Sequence, residues 1–180
     1  MLLRTRATQV VPVFLDFRRR YTSRAAFAGA SEDELVDLVA PLGLRWRGRL
    51  LHRLAQALET AGQLPRDVVS LMELPGVGSY AAAAAASMHG DQRAIIIDAN
   101  VVRLISRLTG REWDGETRRK RWLRELLERL TPKDRFAEFN YALLDLPILV
   151  CRPRTPDCAH CPLADLCDQA LHSSSTQLRT

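Results

Sequence analysis

The chain has 180 residues and a formal net charge of +5, from 26 basic against 21 acidic side chains, and every basic residue except Lys120 and Lys133 is arginine. That length is enough to bury a substantial core in one domain or two small lobes, and the positive balance allows a polyanionic partner without requiring one. The sequence contains neither an uninterrupted apolar run of membrane-spanning length nor a signal-peptide pattern, so the expectation is a cytoplasmic protein without a membrane partner.

Residues 1–21 are amphipathic, with Leu2, Leu3, Val10, Val13, Phe14 and Phe17 set against Arg4, Arg6, Arg18, Arg19 and Arg20. The pattern predicts a helix that the chain enters at or very near its first residue. Ser31 followed by Glu34 is a capping box ahead of the stripe Leu35, Leu38 and Val39, and this helix should stop before Pro41. Leu42 to Arg49 then leads, through Gly43, into a helix from about Leu50 to Ala61 that Gly62 terminates. Trp46 reads as a packing residue at the edge.

A short helix is expected over 67–73 and an alanine-rich, buried one from Ser79 to Met88. Between them lies Leu74-Pro75-Gly76-Val77-Gly78-Ser79-Tyr80. Two glycines in so short a span permit a tight turn that brings peptide N–H groups against a phosphate at the amino end of the second helix. Taken alone, Pro-Gly-Val-Gly could equally be an ordinary interhelical turn. Twenty residues past Gly78, Asp98 ends the apolar run Ala94-Ile95-Ile96-Ile97 and precedes a helical pattern of Val101, Leu104, Ile105 and Leu108, where an aspartate is a natural N-cap. Arg103 and Arg107 fall one turn apart on another side of that helix.

Gly110 to Gly115 reads as a loop, and Thr117 to Leu130 as a helix with Trp122, Leu123, Leu126, Leu127 and Leu130 toward the core. A further buried stripe, Phe136, Phe139, Ala142, Leu143 and Leu146, should end before Pro147. All four cysteines then fall in Cys151-x6-Cys158-x2-Cys161-x5-Cys167. Four thiolates within so short a span make one local site, able to enclose tetrahedral zinc or a four-iron, four-sulfur cluster. Residues 169–180 are expected to be a loosely attached or disordered tail.

The segments Leu-Pro-Gly-Val-Gly-Ser-Tyr and Asp-Ala-Asn-Val-Val-Arg closely resemble the helix-hairpin-helix base-excision DNA glycosylases, the superfamily that includes endonuclease III, adenine DNA glycosylase and the thymine/uracil mismatch glycosylases. The likeness extends over nearly the whole chain and continues in Phe139-Asn140-Tyr141-Ala142-Leu143-Leu144-Asp145. It implies an all-α, two-lobed fold, with residues 22–131 forming the lobe that holds the hairpin, residues 1–21 plus 132–168 the outer lobe, and Asp98 in the cleft between them. It also implies that Gly76, Gly78 and Ser79 grip the DNA backbone, that Gly43 with Arg45 and Arg47 forms a second backbone contact, and that Arg4 fills the space left by a flipped base. The cysteine spacing resembles the superfamily's four-iron, four-sulfur loop. Relative to that pattern the usual N-terminal segment, including an active-site glutamate found just upstream in adenine glycosylases and some mismatch glycosylases, would fall before Met1.

In the superfamily the aspartate at the place of Asp98 is the catalytic carboxylate. Lyase-competent members carry a Schiff-base lysine where Tyr80 stands, and a phenol cannot form that imine. The resemblance therefore implies a monofunctional enzyme, with Asp98 stabilising positive charge on the sugar and Tyr80 lining the base pocket. Tyrosine followed by Asp-Ala-Asn is similar to the glycosylases that remove thymine or uracil mispaired with guanine. Adenine removal and a DNA-binding relative impaired in catalysis stand as alternatives. The expected partner is double-stranded DNA holding a mismatched or damaged base, bound by a monomer that would be nucleoid-associated in a prokaryote.

Overall fold

A computed structural model describes residues 5, 7–43 and 45–177. Their regular structure is all helical, with no strand among them, and the chain divides between Ser79 and Tyr80 into two compact units.

The first unit contains α1 (Ala7–Arg20), α2 (Arg24–Ala28), α3 (Glu32–Val39), a 3-10 turn at Ala40–Leu42, α4 (Trp46–Ala61) and α5 (Val68–Met72). α3 starts on the expected capping box: Ser31 Oγ accepts from the Glu34 amide at 3.2 Å, and the Glu34 carboxylate accepts from the Ser31 amide at 2.8 Å. Its apolar face meets α1 in a core of Val10, Val13, Ala30, Leu35, Leu38 and Leu42. Phe17, Tyr21 and Phe27 pack there edge-on or tilted, with ring centroids 5.1 to 5.8 Å apart, a geometry that suits their quadrupoles. α3 and α4 approach so closely at Gly48 that a Cβ there would lie 2.3 Å from Val36 Cα. Gly62 closes α4 with φ +73°, in the left-handed region that favours glycine.

α4 begins at Trp46, four residues before the predicted start, and this changes how Trp46 stands. On the first turn of the helix it is 53% exposed and does not pack against the core. Arg4 lies outside the described residues.

The second unit contains the body of α6 (Ser79–His89), α7 (Ala99–Thr109), α8 (Arg121–Leu130), α9 (Phe136–Leu149), 3-10 turns at Thr117–Arg119, Cys158–His160 and Ala164–Leu166, and α10 (Asp168–Gln177). α7 supplies Val101, Val102, Leu104 and Ile105 to a core completed by Leu123 and Leu127 of α8 and Leu143 of α9. Leu123 and Leu127 are completely buried, each worth roughly 1.5–3 kcal/mol of transfer free energy. Arg93 ties the segment after α6 to the end of α8, its guanidinium donating to the carbonyls of Glu128, Thr131 and Pro132.

Three further boundaries differ from expectation. The single helix foreseen over 117–130 is split, because the buried Thr117 hydroxyl and the Asp114 carboxylate bond each other at 2.9 Å and hold a 3-10 turn; Lys120 is extended and α8 starts after it. Pro147 does not stop α9, which runs on to Leu149. It falls in the last turn, where it removes the bond to the Leu143 carbonyl and leaves the earlier turns of the helix intact. Most of the segment expected as a loose tail forms α10, which packs on the end of α7, with Asp168 against Gly110 so tightly that a Cβ on that glycine would lie 2.5 Å from Asp168 Oδ2.

Candidate active site

The hairpin is built as the two glycines suggest. Asp67 caps α5 by accepting from the Ser70 amide at 2.8 Å, and hydrogen bonding at the helix start holds its carboxyl below the usual range. The Val77 amide closes the turn onto the Leu74 carbonyl at 3.1 Å. Gly76 has φ +75° and its Cα faces Leu50 of α4, where a Cβ would come within 3.2 Å. Gly78 differs: its backbone is not left-handed, and nothing lies within 4 Å of a Cβ placed there. Gly76 is thus required by the turn, whereas Gly78 is an open surface position immediately before α6 that something outside the chain can approach.

Gly43 also takes a left-handed conformation, φ +72°, at the end of the 3-10 turn, with open space around it. The arginines behind it are more engaged than the sequence suggests. Arg45 pairs with Asp37 at 3.5 Å and Arg49 with Glu32 at 3.3 Å, both exposed pairs of the kind worth little in solution. Arg47 is buried to 9% exposure, its guanidinium 5.4 Å from the centre of the Trp46 ring.

Asp98 is the N-cap of α7. Its Oδ1 accepts from the amides of Asn100 and Val101, each at 2.8 Å, and its Oδ2 accepts from Asn100 Nδ2 at 3.0 Å. Of the four lone pairs of the carboxylate, three are used, and the fourth, on Oδ2, remains for a water or a substrate. Asn100 is held in turn by Arg103, whose Nη1 donates to Asn100 Oδ1 at 3.0 Å. The rest of that guanidinium reaches the carbonyls of Cys151 at 3.1 Å and Pro147 at 2.8 Å. Burial lowers the pKa of Arg103, while the Cys151 thiol opposes that shift and Arg107 adds to it. In the sequence Arg103 lies one turn from Arg107 with no evident task. An arginine three residues past an Asp-x-Asn cap is the signal that could have found it.

Tyr80, on the first turn of α6, is 40% exposed. Partial burial, and then the nearby negative charge of Asp98, push its phenol above the usual tyrosine range, so the hydroxyl keeps its proton at neutral pH. The sequence thus brings together two candidate groups that are eighteen residues apart, an anion and a neutral hydroxyl.

Cys151, Cys158, Cys161 and Cys167 are all unpaired and line one largely apolar pocket with Leu104, Arg107 and Leu108 of α7. Arg107 Nη1 donates to Cys151 Sγ at 3.4 Å and to the Arg152 carbonyl at 2.8 Å, while Nη2 donates to the Pro153 carbonyl at 2.7 Å. Burial raises the Cys158 thiol pKa, and the other three cysteines add to the shift. Among the described residues no group of three or more His, Cys, Asp or Glu side chains is arranged to hold a metal ion. The donor set, four soft sulfurs around an apolar pocket, fits in kind an iron–sulfur cluster. His160 faces solvent and bonds Asp157 at 2.9 Å.

Residues 1–132 match the HhH-GPD superfamily of base excision DNA repair proteins. The chain belongs to this superfamily. A thymine-DNA glycosylase of Aeropyrum pernix is 37% identical over 93% of the chain and 78% of that relative. A mouse adenine DNA glycosylase is 34% identical over 93% of the chain but only 33% of that much longer protein. Among solved structures, a thermostable thymine-DNA glycosylase superposes with a TM-score of 0.85 at 30% identity, covering 95% of the chain and 80% of that protein. No helix among the described residues is long and apolar enough to cross a membrane.

Proposed function

We propose that the chain is a monofunctional DNA glycosylase that hydrolyses the N-glycosidic bond of thymine or uracil mispaired with guanine. The observation that carries this reading is a phenol, Tyr80, on the first turn of α6 and close enough to Asp98 to feel its charge. The phenol stands where a lyase would need an amine, and the Asp98 carboxylate is fixed by three hydrogen bonds with one acceptor site left over.

The chemistry follows from charge. As the base departs with the bonding electrons, C1′ of the sugar becomes cationic, and an oriented anion stabilises that state more than the neutral substrate. The Asp98 carboxylate supplies the anion, and its remaining lone pair orients the water that completes hydrolysis. Tyr80 bounds the pocket and offers its hydroxyl to the base or sugar. The base must leave the stack before any of this can happen, and a mismatch lowers the cost because its pairing is already imperfect. Backbone grip falls to Gly78 and Ser79 at the start of α6, helped by the Gly43 turn with Arg45, while the buried Arg47 packs on Trp46 instead, and Arg4 is assigned to the vacated space. In this reading the four cysteines hold a four-iron, four-sulfur cluster, which supplies the crosslink that keeps the loop 151–167 folded.

Single-turnover assays on duplexes holding G:T, G:U, and adenine opposite 8-oxoguanine test the reading. Free thymine or uracil should appear, with an abasic strand that stays intact until heated in alkali and no borohydride-trapped adduct. Release of adenine alone would transfer the assignment to the alternative that the mouse relative represents; a trapped adduct would overturn the monofunctional mechanism.

A further inference from the structure

α9 carries one polar residue that is fully buried, Asn140. Its Nδ2 donates to two groups at once: Ser87 Oγ of α6 at 3.0 Å and the carbonyl of Ala94 at 2.8 Å. Because a carbonyl can only accept, the amino group of the carboxamide must face Ala94. The Oδ1 atom meets no donor among the described residues. Leaving an acceptor unpaired in the interior is costly, so space filling alone does not account for an asparagine here.

The two groups it joins lead to the two candidate reacting side chains. Ser87, itself 1% exposed, lies seven residues after Tyr80 on α6, two turns along the same face. Ala94 opens the run to Ile97, which has neither helix nor strand and ends at Asp98. A stretch without its own hydrogen-bonded ladder takes its position from what holds it, and at Ala94 that is the Asn140 carboxamide. We infer that Asn140 is a positioning residue that fixes the helix bearing Tyr80 relative to the run delivering Asp98, and so sets the separation of the two groups during base excision. This rests on the reading of Tyr80 and Asp98 as the reacting pair.

The test uses the full chain and the variants S87A, N140L, D98N and D98N/S87A. Three quantities are measured: the single-turnover excision rate on a G:T duplex, affinity by anisotropy for a duplex holding 2′-fluorothymidine opposite guanine, and the melting temperature. S87A, the gentler change, should slow excision about tenfold while affinity stays within about threefold, since a small misplacement penalises the chemical step and leaves backbone binding intact. N140L should slow it further wherever it folds, and D98N/S87A should be no slower than D98N. A merely structural role would instead lower rate and affinity together, in step with the folded fraction, and that result overturns the inference. A slow D98N with S87A at wild-type rate overturns this inference alone, whereas D98N at wild-type rate overturns the reading beneath it as well.

Discussion

Arg103 holds Asn100 at 3.0 Å, and the same guanidinium bonds the carbonyl of Cys151, the first cysteine of the loop. The candidate catalytic carboxylate and the cysteine loop are therefore fastened to one buried side chain on α7. Replacing Arg103 by leucine removes charge-assisted hydrogen bonds, each worth about 1.5–3 kcal/mol, and leaves buried carbonyls unpaired. R103L should melt well below wild type and excise slowly. N100A loses the Oδ2 support and one of the partners of Arg103 but leaves that guanidinium its two carbonyls, so it should slow excision while melting above R103L, and thermal melts and single-turnover rates of both variants check the arrangement. A slow N100A that is equally destabilised would mean that Asn100 serves folding alone.

The phenol of Tyr80 gives a pH prediction. Its pKa is raised in the folded protein, so the proton-linked contribution to stability is fully present below the unfolded value near 10 and is lost as pH rises through the higher folded value. Through neutral pH the hydroxyl stays protonated, and the single-turnover rate should show no inflection from it. Ultraviolet difference titration of wild type against Y80F should show the Tyr80 component ionising above the usual tyrosine range. A component below that range would contradict the environment described for it.

Much of this was legible in the sequence because short-range chemistry carried it. The capping box at Ser31, the left-handed glycine after α4 and the Asp98 cap each need only residues within one helical turn. The alanines of α6 declared a close-packed helix for the same reason. What stayed hidden depends on partners far along the chain: Arg103 meets Cys151 forty-eight positions away, and Asn140 meets Ala94 across forty-six. Thr117 and Pro147 misled although their causes are local: a threonine hydroxyl buried against the aspartate three residues before it holds a 3-10 turn, and a proline near a helix end removes one bond without stopping the helix.

The glycines separate folding from binding. G48A drives a Cβ into the Val36 backbone and should cost about 1–3 kcal/mol or more, read by urea denaturation. G76A forces a left-handed residue to carry a side chain against Leu50 and should cost about 1 kcal/mol by the usual penalty. G78A meets open space and should be nearly neutral for folding. G78R should unfold at the same denaturant concentration as wild type yet bind matched and mismatched duplex more weakly. Normal binding by G78R would remove the hairpin from the DNA interface.

The cysteine loop makes an analytical prediction. Anaerobically purified protein should hold iron and acid-labile sulfide in equal amounts, about four of each per chain for the cluster type proposed. C158A should lose the iron and melt at a lower temperature, because binding free energy at such a site is also folding free energy. One zinc per chain without sulfide would contradict the assignment.

The most direct test of the central claim is the single-turnover release of thymine from a G:T duplex by wild type and by D98N, at enzyme concentrations that saturate the DNA. Wild type is expected to release free thymine and leave an unbroken abasic strand, and D98N to bind the duplex as wild type does while releasing the base at least about 100-fold more slowly, the scale of losing one strong transition-state contact. Equal rates in the two proteins would contradict the assignment of Asp98 as the group that stabilises the departing charge.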